Sequence, residues 1–97
     1  MKLKQLLLEK REEILTIAAK HGAYNVRIFG SVARGEADED SDIDFLIDYD
    51  LAEISPWFPV RLIRDLEAVL GMSVDVVTVD GLKDRIRENV LKESIAL

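Results

Sequence analysis

Gly30-Ser31, ten residues, then Asp42-Ile43-Asp44 is the arrangement in this chain best suited to chemistry. Carboxylates two apart on an extended strand point to one face, with their Cα atoms about 7 Å apart. Two anions that close repel each other unless a cation lies between them. Mg²⁺ takes one or two carboxylates together with phosphate oxygens and water, so the pair suits a Mg²⁺-bound triphosphate. Gly30 ends the run Val26-Arg27-Ile28-Phe29, where the lack of a Cβ would let a ligand approach the backbone closely. Ser31 reads as the N-cap of a short helix, whose free amides and dipole attract phosphate oxygens. Arg34, one turn later, could supply a positive contact to the same triphosphate. A third carboxylate, Asp75, interrupts the apolar run Val74 to Val79. If that run lies beside the strand bearing Asp42 and Asp44, the three acids form a site able to hold two ions.

The elements that must position these residues follow from periodicity. Leu3, Leu6, Leu7, Ile14, Leu15 and Ala18 recur at helical spacing, predicting one helix from about Lys4 to Lys20, stopped at His21-Gly22. Residues 26–29 predict a short strand, Ser31 to Arg34 a short helix broken at Gly35, and Glu36 to Ser41 a polar loop. Asp42 to Tyr49 predicts a second strand, with Ile43, Phe45 and Ile47 on one face and Asp42, Asp44, Leu46 and Asp48 on the other. Ser55-Pro56-Trp57 is expected to open a helix carrying Leu62, Ile63, Leu66, Val69 and Leu70, closed by Gly71. Residues 74–79 predict a third strand, and Asp80-Gly81 turns into a last helix with Leu82, Ile86 and Val90. The order implies an α+β chain: a short mixed sheet with helices packed mainly on one face. Residues 1–97 are expected to form a single domain.

Composition narrows the function classes. The net charge is -6, which argues against a direct grip on nucleic acid through a broad basic surface. Nine acidic residues and no Lys or Arg lie between Glu36 and Glu53. Because that block encloses Ile43, Phe45, Leu46 and Ile47, it reads as a buried strand carrying carboxylates rather than a solvated tract. There are no cysteines, which removes disulfides and thiolate chemistry and is compatible with a reducing cytoplasm. No apolar run approaches the roughly 20 residues of a bilayer span, and the N-terminal stretch lacks the pattern of a signal peptide. A cytoplasmic protein without membrane attachment is expected.

Gly30-Ser31-Val32-Ala33-Arg34-Gly35-Glu36-Ala37 followed by Ser41-Asp42-Ile43-Asp44-Phe45-Leu46-Ile47 resembles the signature of the minimal nucleotidyltransferase (MNT) domains, within the DNA polymerase β-like nucleotidyltransferase superfamily. The element order and Val74-Asp75-Val76 extend the resemblance over nearly the whole chain. The resemblance implies the small nucleotidyltransferase fold, with Gly30 and Ser31 holding the β- and γ-phosphates of ATP. It implies that Asp42 and Asp44 ligate Mg²⁺, two ions in all, and that Asp75 ligates one ion and helps deprotonate an acceptor hydroxyl. Many such domains are antitoxins that neutralise a helical HEPN ribonuclease toxin by transferring AMP to a tyrosine. The expected partners are therefore ATP and such a toxin, and an oligomer is left open. The rival reading is a non-catalytic antitoxin or adaptor that blocks its partner by binding, for which the negative charge would suit a basic groove. Transfer to a small molecule or an RNA end fits less well, given the acidic surface and the lack of a second enclosing domain.

Other residues have plainer readings. His21 is expected to end the first helix, and Ser41 to tighten the loop before the second strand. Asp48 and Asp50 read as charges at a strand end. Trp57 and Phe58 are expected to seal the edge of the core, with a docking surface as the other reading.

Overall fold

The computed structural model describes residues 3–38 and 40–97; Glu39 of the predicted polar loop, and Met1 and Lys2, lie outside them. Among the described residues the order is α1 (Leu3–Glu9), α2 (Arg11–Lys20), β1 (Ala23–Phe29), α3 (Gly30–Arg34), β2 (Ile43–Tyr49), α4 (Val60–Leu70), β3 (Val74–Thr78), a 3₁₀ turn (Val79–Gly81), α5 (Asp84–Glu93) and β4 (Ile95–Ala96). The strands form one sheet in the order β3-β2-β1-β4. β2 and β3 are parallel, joined by α4 as a crossover, and the other pairings are antiparallel. The mixed sheet expected from the sequence is present, with β4 added at its edge.

The core lies on one face of that sheet. Leu7, Ile14 and Ala18 from α1 and α2, and Leu62, Leu66 and Leu70 from α4, pack on Ile28, Ile43, Phe45, Ile47, Val74 and Val76. Among the described residues no polar or charged side chain is buried. The other face is left for polar groups, with one exception. Leu46 is fully buried although alternation puts it on the same face as Asp44 and Asp48. It lies outside the main cluster, as does Leu82 from the turn after β3. The 3₁₀ turn after β3 packs against β2, and Leu46 is the buried apolar side chain of the carboxylate face. None of the described helices is long and apolar enough to cross a membrane.

Four local expectations are corrected. The first helix is two segments that break at Lys10, although the Lys10 and Ile14 amides still reach the carbonyls four residues back. The break lets α1 lean on α3 while α2 packs on β1 and α4. β1 starts at Ala23 rather than Val26, because a bulge with Asn25 at φ 49° breaks the alternation. Asn tolerates that left-handed conformation, and its side-chain amide donates to Asp48 Oδ2 at 3.1 Å, fixing the bulge. α4 starts at Val60, not at Ser55. Pro59 disfavours a helical Phe58, so the turns of residues 55–59 cannot join the helix. Trp57 does not seal the core: it is 65% exposed, whereas Phe58 packs against the cluster and lies 5.5 Å from the Tyr49 ring.

Gly71 ends α4 as expected, in the left-handed conformation at φ 68°. His21 sits just past α2 and does more than end it. Its Nε2 is 2.7 Å from Asp65 Oδ2 on α4, which ties the two covering helices together and holds the Asp65 carboxyl below its ordinary range.

The burial of Leu46 gives a direct test. Leu46→Ala should destabilise the fold by about 2–5 kcal/mol, as for a buried leucine in a main core, whereas Trp57→Ala should change stability by no more than about 0.5 kcal/mol. Urea unfolding followed by circular dichroism distinguishes the two.

Candidate active site

Strand register brings the predicted acids together. Asp44 on β2 is paired with Asp75 on β3, side by side in a parallel ladder. Paired residues there share a face, with backbones about 4.8 Å apart. Asp42 lies one residue ahead of β2, not within it as expected. The strands are tied immediately before the acids. The Ile43 amide donates to the Ser73 carbonyl at 2.9 Å, and the Val74 amide donates to Glu67 Oε2 on α4 at 3.0 Å. Helix α4 thus sets the height of Asp75 against Asp44.

On its other side Asp44 is paired with Phe29, the last residue of β1. This sets the Asp44 carboxylate directly against Gly30, which turns the chain from β1 into α3 at φ +72°. A Cβ at position 30 would collide with Asp44 Oδ2. Glycine is required there twice over: for its positive φ, and for the space the carboxylate takes up. Ser31 is not the N-cap. The cap position is Phe29, without a side-chain hydrogen bond, and Ser31 lies inside the first turn of α3. Its amide still belongs to the first turn, where intrahelical partners are lacking.

Asp44 carries the electrostatic load of the site. Its carboxyl is pushed above its ordinary value, first by partial burial, then by the negative charges of Asp75 and Asp42, with Arg34 opposing. Asp44 thus lies within reach of the charge of both other acids. Asp42 and Asp75 are exposed, Asp44 is half-buried, and Asp48 lies four residues further along β2, engaged with Asn25. Among the described residues no group of three or more acidic or imidazole side chains is placed to hold a metal ion. Hard oxygen donors gathered on one side, with an unrelieved repulsion at Asp44, nevertheless fit Mg²⁺, which completes its shell with water and phosphate oxygens.

Arg34 is brought to the site but is already engaged. Its Nε donates to Glu36 Oε2 at 3.1 Å and its Nη1 to Glu93 Oε1 at 2.8 Å, and these carboxylates, Glu36 foremost, raise its pKa. The Gly30 amide donates to the same Glu93 oxygen at 2.9 Å. Glu93 has no warrant in the sequence: it is one acid on a helix of mixed charge, and only the tertiary fold brings it here. Ser41 behaves as expected, its hydroxyl accepting from the Asp38 amide and donating to Asp38 Oδ1.

The family model described as a nucleotidyltransferase domain matches residues 9–97. This chain belongs to that family. The protein adenylyltransferase MntA of Thermococcus cleftensis is 41% identical over 95 residues, covering 93% of this chain and 95% of that protein. A solved structure provisionally described as a minimal nucleotidyltransferase superposes with a TM-score of 0.86 at 47% identity, over 97% of this chain and 95% of that one. A toxin–antitoxin structure containing AMP-PNP shares the fold, with a TM-score of 0.67 at 20% identity over 91% of this chain and 69% of that one. The chain is a nucleotidyltransferase, and the acids on β2 and β3 are its candidate machinery.

Two outcomes are expected of this nucleotidyltransferase. Gly30→Ala should destabilise the fold by about 1–3 kcal/mol from the forced left-handed conformation and weaken Mn²⁺ binding by displacing Asp44; thermal melts and a Mn²⁺ titration read both. Because folding raises the Asp44 pKa, the stability this group confers is full at low pH and is lost as pH rises through the folded value. At neutral pH without divalent ions, Asp44→Asn should therefore melt a few degrees higher than the wild type. Adding Mg²⁺ should raise the wild-type melting temperature and reverse that order.

Proposed function

We propose that this nucleotidyltransferase transfers AMP from ATP to a tyrosine hydroxyl on a HEPN-type ribonuclease toxin, and so acts as its antitoxin. The observation that carries the reading is the pairing of Asp44 with Asp75 in register, with Asp44 set against the Gly30 turn. The name of the Thermococcus cleftensis relative supports a protein acceptor and an adenylyl donor. Residues 1–97 act in this reading as one minimal domain, in the cytoplasm, where ATP is available.

Each residue then has a defined task. The Gly30 and Ser31 amides, with the Ser31 hydroxyl, bind oxygens of the β- and γ-phosphates. Arg34 adds a charged contact to the same group. Asp42 and Asp44 hold Mg²⁺, and Asp75 completes the set for a second ion. When bound, the ions lower the pKa of the acceptor hydroxyl and neutralise charge on the departing pyrophosphate. Asp75 is exposed at the edge of the sheet, so an incoming tyrosine can reach it. Its carboxylate takes the hydroxyl proton as the tyrosine oxygen bonds to the α-phosphorus and the bond to pyrophosphate breaks. What the chain itself contributes is mainly orientation, which commonly accounts for much of the rate in phosphoryl transfer.

Intact-mass measurement of the helical partner, after incubation with this protein, ATP and Mg²⁺, tests the proposal. The wild type should add AMP units to a partner tyrosine. Asp42→Asn/Asp44→Asn should add none, and Asp75→Asn should slow transfer by roughly 10²–10⁴-fold, the scale of lost proton-transfer catalysis. A partner that stays unmodified yet is bound and inhibited would establish the non-catalytic antitoxin instead.

A further inference from the structure

Two donors that would serve an incoming polyphosphate already hold an anion. A single oxygen, Glu93 Oε1, accepts from the Gly30 amide at 2.9 Å and from Arg34 Nη1 at 2.8 Å. A backbone amide together with a guanidinium is the donor pair that a phosphate oxygen takes at such a turn. The geometry points to Glu93 as an internal anion that occupies the polyphosphate seat and must be displaced before nucleotide binds; this rests on the proposed role of Gly30 and Arg34.

The element that carries Glu93 is built to yield. α5 has no fully buried residue, Ile86 on it is 43% exposed, and its tertiary packing is chiefly against α3. Beyond it, β4 holds β1 through two residue pairs, Arg27 with Ala96 and Ile28 with Ile95. Releasing Glu93 therefore exposes little apolar surface. Its side chain is already 32% exposed and can rehydrate where it stands. Arg34 keeps its second partner, Glu36, and stays close to the turn when Glu93 leaves. Nucleotide entry is thereby coupled to the last helix: a polyanion in the seat frees α5, and a surface that captures the freed helix strengthens nucleotide binding in return.

Inorganic tripolyphosphate with Mg²⁺ is the probe, because it needs the seat but no transfer. Calorimetry should show Glu93→Gln and Glu93→Ala binding it roughly tenfold more tightly than the wild type, since a competitor that holds the free state closed lowers apparent affinity in proportion. In the wild type, hydrogen exchange across residues 84–93 should speed up when tripolyphosphate is added, a readout that does not depend on either variant folding. Unchanged or weaker binding by both variants, or exchange in α5 that does not respond, would overturn the proposal. The two ideas fail separately. Tighter tripolyphosphate binding without AMP transfer to the partner removes the proposed function alone, while normal transfer without tighter binding removes the Glu93 seat alone.

Discussion

The site depends on one repulsion held in place by strand pairing and by the Gly30 turn. Asp44 cannot move away from Asp75, because the parallel ladder of β2 and β3 pairs them, and it cannot lean towards β1 without striking Gly30. Partial burial and two neighbouring charges leave its anion poorly solvated. The chain tolerates this because everything else about the sheet is conventional. The helix-covered face supplies the apolar contacts, and the acids stand on the face that needs no packing there. A cation bound there would relieve the repulsion, so cation affinity and the strain at Asp44 would have the same physical source.

That division of the sheet was legible in the sequence because β2 is regular. Ile43, Phe45 and Ile47 alternate with Asp42, Asp44 and Asp48, and a period of two leaves little choice of face. Leu46 also follows the alternation, but its burial could not be foreseen, because the turn that packs against β2 arrives only after β3. β1 was harder, because the bulge at Asn25 buries both Ala23 and Val26, which stand three positions apart rather than an even number. No simple period survives that, so the strand was legible only past the bulge. β4 has two residues and no pattern at all; its pairing with β1 is a property of the sheet edge. The start of α4 was misread because Ser55-Pro56 looks like a helix opening, while Pro59, three residues on, sets the true one.

The candidate residues divide in the same way. Gly30, Asp42, Asp44 and Asp75 were legible because each contradicts its local setting: a glycine ending an apolar strand, or acids inside or at the start of one. Such local conflict is where a sequence departs from what folding alone would choose. Ser31 was read as the helix N-cap, a position that Phe29 holds. Glu93 conflicts with nothing. An acid on an exposed helix is the expected residue, and its engagement with Gly30 and Arg34 spans 63 and 59 positions of chain. Residues that act only through a long-range contact leave no trace in local pattern.

The position of β3 bears on what can reach the acids. It is an edge strand, and Asp75 on it is exposed while Asp44, one strand inward, is half-buried. A phosphate chain entering over Gly30 meets Asp44 first, and an acceptor arriving from the sheet edge meets Asp75 first. In the proposed transfer the two reactants would then approach from opposite sides of one pair of carboxylates. The acceptor side is open, with Asp75 in reach of solvent and the turns leading to α4 presenting Trp57 and Leu51 elsewhere on the surface. A small acceptor would find little to enclose it at such an edge. A folded partner brings its own surface, and orientation that the edge does not supply can come from the partner's shape.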